Sequence, residues 1–367
     1  MNIPRMNRRY FRQQCRIENI ASEGNLLNAA KIARRHKSRR PDVEDWWLCR
    51  ETEITRLANE LLSGKWEPGG YRFFEVYEPK RRTIAAAPFA DRVVHHALCR
   101  ILQPLLERRF IARSFSCQRG KGTTAARQCC RKLTNRYRYV LKCDIHKFFH
   151  QIDHAVLLEK LGREILCPGT MRLIGKIIAS FETGPELTPV IFPQDDLFTP
   201  FERSRGLPIG NLTSQLWGNY FLDGLDHRIT EDEAHGAYLR YTDDFLLFGD
   251  DKFRLWDLKQ IIEEELNSIR LKFSNPKSRM MATREGVAFC GFRFIPGQQP
   301  RILGATKRRF EKRRHRHFRT GMEIADISLR VFCWYQFSRE GNTEGLRQAY
   351  EHWPLDGKKR CRIATTG

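Results

Sequence analysis

Long apolar runs are missing from this 367-residue chain. Nothing in it approaches the ~18 uninterrupted apolar residues that span a bilayer, so a helical membrane protein is excluded. No apolar run stands behind the basic start Met1-Asn2-Ile3-Pro4-Arg5, and the expectation is no secretory signal and a cytoplasmic location. Regular cysteine spacing is also missing. The 11 cysteines are odd in number and scattered, with one adjacent pair, Cys129-Cys130, and no CxxC. Zinc frameworks and disulfide scaffolds both need repeated spacings, so reduced, buried thiols are expected. Internal repeats and long low-complexity segments are lacking as well.

Acidic charge is in short supply: 43 Asp and Glu stand against 65 Lys and Arg, a net charge of +22. At 41% hydrophobic and 29% charged the composition is that of a globular chain, long enough for two or three subdomains. Such a surplus implies an anionic partner, nucleic acid being the commonest; a merely basic surface is the competing reading. The cations are clustered. Arg5, Arg8, Arg9, Arg12 and Arg16 form one group, and Lys31, Arg34, Arg35, Lys37, Arg39 and Arg40 a second. The densest runs through Lys307, Arg308, Arg309, Lys312, Arg313, Arg314, Arg316 and Arg319. The acidic pairs lie between them, which suggests a catalytic centre flanked by phosphate-gripping arms.

Periodicity predicts a helix from Asp42, as its cap, to about Leu62, stopped by Gly64. Extended segments follow over 71–87 around the basic turn Glu78-Pro79-Lys80-Arg81-Arg82, then a helix over 91–110. A short strand over 137–145 ends at an aspartate, and 155–181 is helical in pattern. Residues 183–205, rich in Pro, Asp and Phe, read as an excursion. Helix returns over 211–229, and 237–248 forms a hairpin with Asp243-Asp244 at its tip. A helix over 257–269, a strand over 287–295 and a helical basic tail complete the chain.

Two apolar strands thus deliver aspartates: Tyr139-Val140-Leu141-Lys142-Cys143-Asp144 and Tyr238-Leu239-Arg240-Tyr241-Thr242-Asp243-Asp244. A carboxylate in an apolar frame is costly unless compensated, and Mg²⁺ compensates one or two carboxylates together with substrate phosphates. If the strands are neighbours, Asp144 and Asp243 hold two ions ~4 Å apart, the separation used for in-line displacement at phosphorus. The bland alternative is a hairpin turn that happens to be acidic. Asp250-Asp251 reads as a solvated turn. His146, His150 and His154 recur every four residues, but they straddle a strand-to-helix junction and read as structural or template-side groups rather than zinc ligands. His315 and His317 sit among arginines and suit phosphate contacts.

The residues around these aspartates resemble the reverse transcriptases. Tyr241-Thr242-Asp243-Asp244 looks like their YxDD box, and Asp144 to Phe149 with Ile152-Asp153-His154 like their first palm motif. The run Gly206-Leu207-Pro208-Ile209-Gly210-Asn211-Leu212-Thr213-Ser214-Gln215 resembles the nucleotide-binding segment between them. Pro88 to His96 and Ser114 to Gly122 are similar to finger motifs; Leu271 to Lys277 and Phe289-Cys290-Gly291-Phe292 are similar to closing palm motifs. The resemblance covers about 71–296. It implies an α+β right-hand polymerase: a basic helical extension (1–65), fingers (66–135), a palm of antiparallel sheet and helices (136–299, with a finger excursion around 155–205), and a short helical thumb and tail (300–367).

The resemblance implies RNA-templated addition of dNTPs to a 3′-hydroxyl with two Mg²⁺, Mn²⁺ being an alternative. Asp144, Asp243 and Asp244 would be catalytic, and these with Ile145 the metal set. Phe149 matches the steric gate against a ribose 2′-hydroxyl. Lys80 and Arg82 match the finger hairpin that reaches for the triphosphate; Ile209, Gly210 and Gln215 match the nucleotide segment; Lys277 matches a lysine near the leaving pyrophosphate. Core packing for one of Phe148 and Phe149, and an ordinary surface lysine at 277, are the plain alternatives. Arg119 and Lys121, with Lys307, Arg308, Arg309, Lys312, Arg313, Arg314 and Arg316, would contact template RNA and the RNA/cDNA duplex, while Phe332, Trp334, Tyr335 and Phe337 build the thumb core.

Group II intron-like relatives carry Gln-Gly in the middle motif and end it with Ser-Pro; here the pairs are Ile209-Gly210 and Ser214-Gln215. That variant, like the compact length, is similar to the reverse transcriptases of diversity-generating retroelements. Those enzymes copy a template-repeat RNA, misincorporate opposite adenine, and work with a small basic, oligomeric accessory protein. A retron or phage-defence reverse transcriptase, and a non-catalytic RNA-binding polymerase relic, are the competing readings.

Overall fold

The structure, a computed structural model, describes residues 13–77, 81–184, 188–193, 195–231, 236–274, 278–320 and 324–351. Four helices come first: α1 (Ile17–Ala21), α2 (Glu23–Arg34), α3 (Pro41–Leu48) and α4 (Arg50–Ser63). The single helix expected from Asp42 is broken at Cys49 (φ −96°, ψ 16°). The break lets Trp46 close edge-on to Phe89 at 5.0 Å while α4 turns Ile54, Leu57 and Leu61 inward. Arg40, not Asp42, is the N-cap; Pro41 takes the first helical position, where its missing N–H costs nothing. Gly64 ends α4 in the left-handed conformation at φ 71°.

An antiparallel hairpin follows, β1 (Arg72–Val76) with β2 (Arg82–Ala86), then α5 (Phe89–Leu106) and α6 (Thr123–Arg136). Next come β3 (Tyr139–Asp144), α7 (Phe148–Gln151), α8 (His154–Gly162), α9 (Pro168–Ala179), α10 (Thr199–Glu202), α11 (Leu212–Phe221) and α12 (Asp223–Glu231). The helices expected over 155–181 and 211–229 are therefore two apiece. The chain continues through β4 (Ala237–Tyr241), β5 (Asp244–Gly249), α13 (Lys252–Ser268), β6 (Arg279–Ala282), β7 (Val287–Phe289), β8 (Phe292–Phe294), β9 (Arg301–Ile302), α14 (Gly304–Arg319), α15 (Ile324–Ser338) and α16 (Glu344–Glu351). Asp251 is no idle turn residue: its carboxylate caps α13 by accepting from the N–H groups of Phe253 (2.8 Å) and Arg254 (3.3 Å).

The centre is a four-stranded antiparallel sheet in the order β4-β5-β3-β6. Its strands read as near-continuous apolar runs because both faces are covered. Leu141, Cys143, Tyr238, Phe245 and Leu247 face the larger core, which α2, α5, α11 and α13 complete. Val140, Leu239, Leu246 and Phe248 face a smaller core built on α6 and the three-stranded sheet β7-β8-β9. The strand expected over 287–295 is the β7-β8 hairpin. Its two-residue turn, Cys290 (φ 43°) and Gly291 (φ 88°), has the positive pair of a type I′ turn.

The excursion over 183–205 holds one helical turn, α10, and is pinned by buried charge. Asp153 accepts from Arg270 at 2.7 Å and lies 3.4 Å from Arg203, which also pairs with Asp195. At the far end of the chain α14 and α15 pack together, with Phe310 and Trp334 stacked at 4.0 Å. Glu340 joins them to α6: Arg127, flanked by the rings of Phe292 and Phe337, donates to it at 2.7 Å. Among the described residues no helix is long and apolar enough to cross a membrane.

Candidate active site

The register of β3 against β5 sets Asp144 directly opposite Asp244. Tyr241 pairs with Asp244 across β4-β5, so Thr242-Asp243 is the two-residue hairpin turn and Asp243 stands at its tip. Thr242 adopts φ 60°, a region that costs a β-branched residue roughly 1–3 kcal/mol. Two ties hold it there. Arg240 Nη1 donates to the Thr242 carbonyl at 3.0 Å, and the Thr242 and Ser116 hydroxyls lie 2.8 Å apart. Beyond β3 the chain is clamped by its neighbour. Ile145, buried, bridges Phe273; Ser274 N–H donates to the Asp144 carbonyl at 2.7 Å, and His146 N–H to that of Lys272 at 2.8 Å.

All three aspartates are half-buried. Lys142 Nζ donates to Asp244 Oδ2 and to the Ala288 carbonyl, each at 3.0 Å. Asp244 Oδ1 is buried with no hydrogen-bond partner. Burial pushes the Asp244 carboxyl up to about 6; Lys142 opposes the rise, and the charges of Asp144 and Asp243 add to it. Mutual repulsion, an orphaned buried oxygen and an all-oxygen donor set fit a hard divalent cation. Among the described residues no group of three or more Asp, Glu, His or Cys side chains could hold a metal ion by itself, so the three aspartates would need substrate oxygens to complete a Mg²⁺ shell. His154 is buried, its Nε2 2.7 Å from the Gly206 carbonyl.

A second wall is brought together by the loop 206–210. Gly206 N–H donates to the Ile152 carbonyl (2.8 Å) and Leu207 N–H to that of Phe149 (2.7 Å), while the Ile209 carbonyl accepts from Ala85 N–H of β2 (3.1 Å). Ile209 and Gly210 therefore meet the hairpin that carries Arg82, and Phe149 is tied to the same loop through Leu207. Gly210 has φ 120°, and a Cβ there would lie 2.9 Å from Ile84 Cγ2. Phe148 is the ring committed to the core, 2% exposed; Phe149 packs on it at 5.1 Å and stays half-buried. A Cβ on Gly218 of α11 would lie 3.1 Å from both rings. Arg82 and Gln215 are exposed and Ile209 half-buried. Lys80 and Lys277 lie outside the described residues.

The basic residues divide. Lys121 gives its ammonium to the carbonyls of Ser114 (2.8 Å) and Ile111 (3.2 Å) and so fastens a loop. Arg119 is exposed. On α14 Arg308, Lys312, Arg313 and Arg316 are exposed, Lys307 and Arg309 half-buried and Arg314 buried. A cavity of about 370 Å³ between α14 and α15 is lined by Arg309, Arg313, Arg314, Arg330, Phe310 and Trp334. Of the expected thumb aromatics, Phe332 is 56% exposed. Sequence reasoning passed over Lys142 and Arg240, though each is a lone charge inside an apolar strand run, and that pattern was the available signal.

A helix-backed antiparallel sheet with aspartates at the ends of neighbouring strands is the palm of a nucleotide polymerase. The chain belongs to the reverse transcriptase (RNA-dependent DNA polymerase) family, whose profile matches residues 77–294. Members of that family use divalent metal ions. Protein YkfC of Escherichia coli (strain K12) is 24% identical over 285 residues, 66% of this chain and 71% of that protein. Among solved structures, telomerase from Candida albicans in complex with a fragment of telomeric RNA matches with TM-score 0.44 and 13% identity, over 72% of this chain and 50% of that one. Apo telomerase from Candida tropicalis matches with TM-score 0.41 and 11% identity, over 68% and 52%. The chain spans about half the length of those two telomerase chains. The family match leaves out α1 to β1 and β9 to α16, which include the densest cation clusters.

Proposed function

We propose that this reverse transcriptase copies a template-repeat RNA into cDNA with frequent errors at template adenine, in the manner of a diversity-generating retroelement. The observation that carries the chemistry is Asp144 facing Asp244 with Asp243 on the adjoining turn. Two Mg²⁺ ions, or Mn²⁺ in their place, held by Asp144, Asp243 and an oxygen of Ile145, would activate the primer 3′-hydroxyl and neutralise the triphosphate. Asp244, tied to Lys142 through Oδ2, completes the metal set with its other oxygen. Phe149 closes the sugar pocket against a 2′-hydroxyl, and Arg82, with Lys80 and Lys277, serves the phosphates. In this reading β1-β2 with its flanking helices are the fingers, and α14 to α16 the thumb that holds the RNA/cDNA duplex. A small basic accessory protein joins through the shared RNA.

Support for the error-prone reading comes from Ile209. Its carbonyl is spent on β2, and its side chain offers the nascent base pair shape without a hydrogen bond. One lost hydrogen bond is worth ~1 kcal/mol, or several-fold in discrimination, so Ile209 contributes to the errors without accounting for all of them. Sequencing cDNA made by the purified enzyme on its native RNA tests the proposal. Errors concentrated at adenine are expected, reduced several-fold in Ile209→Gln with polymerisation intact. An error spectrum without adenine bias would remove the retroelement reading, whereas undiminished primer extension by Asp243→Asn would remove the catalytic one.

A further inference from the structure

The most deeply buried charge in the sheet lies beside the Thr242-Asp243 turn. Arg240 and Asp226 are both 0% exposed. Arg240 Nε donates to Asp226 Oδ1 at 2.7 Å and Nη2 to Oδ2 at 2.5 Å, a bidentate fork. Tyr238 Oη donates to the same Oδ1 at 2.7 Å. The remaining face of the guanidinium turns away from the pair. Nη1 donates to Asn219 Oδ1 (3.1 Å) and to the Thr242 carbonyl (3.0 Å). Asn219 Nδ2 in turn donates to the Ser116 carbonyl at 2.8 Å, and the Ser116 hydroxyl meets that of Thr242. Three separate segments thus converge on Thr242, the residue preceding Asp243: α11 and α12 act through Arg240 on its carbonyl, and the loop at 116 on its hydroxyl.

A buried ion pair is a poor device for stability alone, because desolvation cancels much of the attraction and apolar replacements often do as well. Such a pair is better suited to fixing one arrangement against others. Here that arrangement is a threonine at positive φ, which an untethered chain would leave. A turn relaxed by even an ångström would carry Asp243 away from Asp144, and misplacement of that size is expensive in catalysis.

We propose that Arg240, oriented by Asp226 and Asn219, is a positioning residue that holds the Thr242-Asp243 turn in register with Asp144, with Ser116 as its second tether. The proposal rests on Asp243 being a metal ligand. Asn219 and Tyr238 feed the same network, so the turn, and not the sheet as a whole, is the part that loosens when it is cut.

The gentlest test removes one hydroxyl at a time. Ser116→Ala and Thr242→Val should each lower kcat in primer extension about five-fold, the worth of one hydrogen bond, with KM for dNTP nearly unchanged. The double variant should lose no more than either single one. Asp226→Asn with Arg240→Gln, which strands no charge, should cut kcat at least a hundredfold. The same variant should weaken Mn²⁺ binding, measured by electron paramagnetic resonance, tenfold or more. Amide exchange should accelerate at 241–245 and not in β3. Arg240→Lys, which keeps the charge but not the fork, should fall between. Parent kcat in both hydroxyl variants, or additive losses, would overturn the proposal even if the charge-free pair failed to fold. Full activity in Asp243→Asn would instead overturn the ligand reading on which it rests.

Discussion

Acid should unfold this enzyme through two adjacent histidines. His95, 2% exposed on α5, has a buried Nε2 with no hydrogen-bond partner. Burial, aided by His96, holds its pKa down at about 3. His96 is held at about 4 by burial and by Lys37, Arg92 and Arg100. In the unfolded chain both return to about 6.5. Above that value both states are neutral and stability is complete. As pH falls below it the unfolded chain takes up protons that the folded one refuses, so stability drops until the folded pKa values are reached. Between pH 7 and pH 5 that is roughly 1.5 pH units at ~1.4 kcal/mol each, or about 2 kcal/mol per histidine and ~4 for both. Against a typical total of ~5–15 kcal/mol the loss is large. It also falls on α5, the helix that packs against α11, which follows the loop 206–210. Urea unfolding at the two pH values measures it. His95→Leu with His96→Leu should retain about 4 kcal/mol more than the parent on going from pH 7 to pH 5. Equal losses in parent and variant would refute the assignment.

Three further outcomes are expected. Phe149→Val should raise incorporation of rNTPs relative to dNTPs at least tenfold in primer extension, since the ring is the bulk that Gly218 makes room for; unaltered selectivity would assign the gate elsewhere. Gly210→Ala should raise KM for dNTPs, because its φ of 120° and a Cβ 2.9 Å from Ile84 both force the loop off β2; a parent-like KM would show the loop to be indifferent. Duplex binding that engages six to ten phosphates should weaken ~10³–10⁵-fold between 50 and 200 mM salt. Replacing Arg308, Lys312 and Arg316 with Gln should lower the log–log salt slope by about 3, at ~0.9 per phosphate contact, and an unchanged slope would take α14 out of the interface.

The strands were legible because burial on both faces turns them into apolar runs, and the aspartates because they end those runs. The same logic marks Lys142 and Arg240, yet each looks like noise until its partner is seen, Asp244 on the neighbouring strand or Asp226 on α12. Helix breaks were harder. Nothing local in Cys49 or Leu222 stops a helix; the chain bends there to satisfy packing that only the tertiary structure supplies. The turn at Cys290-Gly291 escaped because cysteine is not a usual partner of glycine in a type I′ turn. Asp42 resembled a cap, but Pro41 beside it had already begun the helix.

Three exposed cations of α14, at 308, 312 and 316, lie about one turn apart along one side of the helix, with Arg313 and Arg319 also exposed. Groups spaced that evenly track a ladder of phosphates and are blind to the bases it carries. Such a rail has no alphabet. If α14 grips the duplex as proposed, it sets no sequence limit on the copied stretch, whose start and end then fall to the folds of the RNA itself.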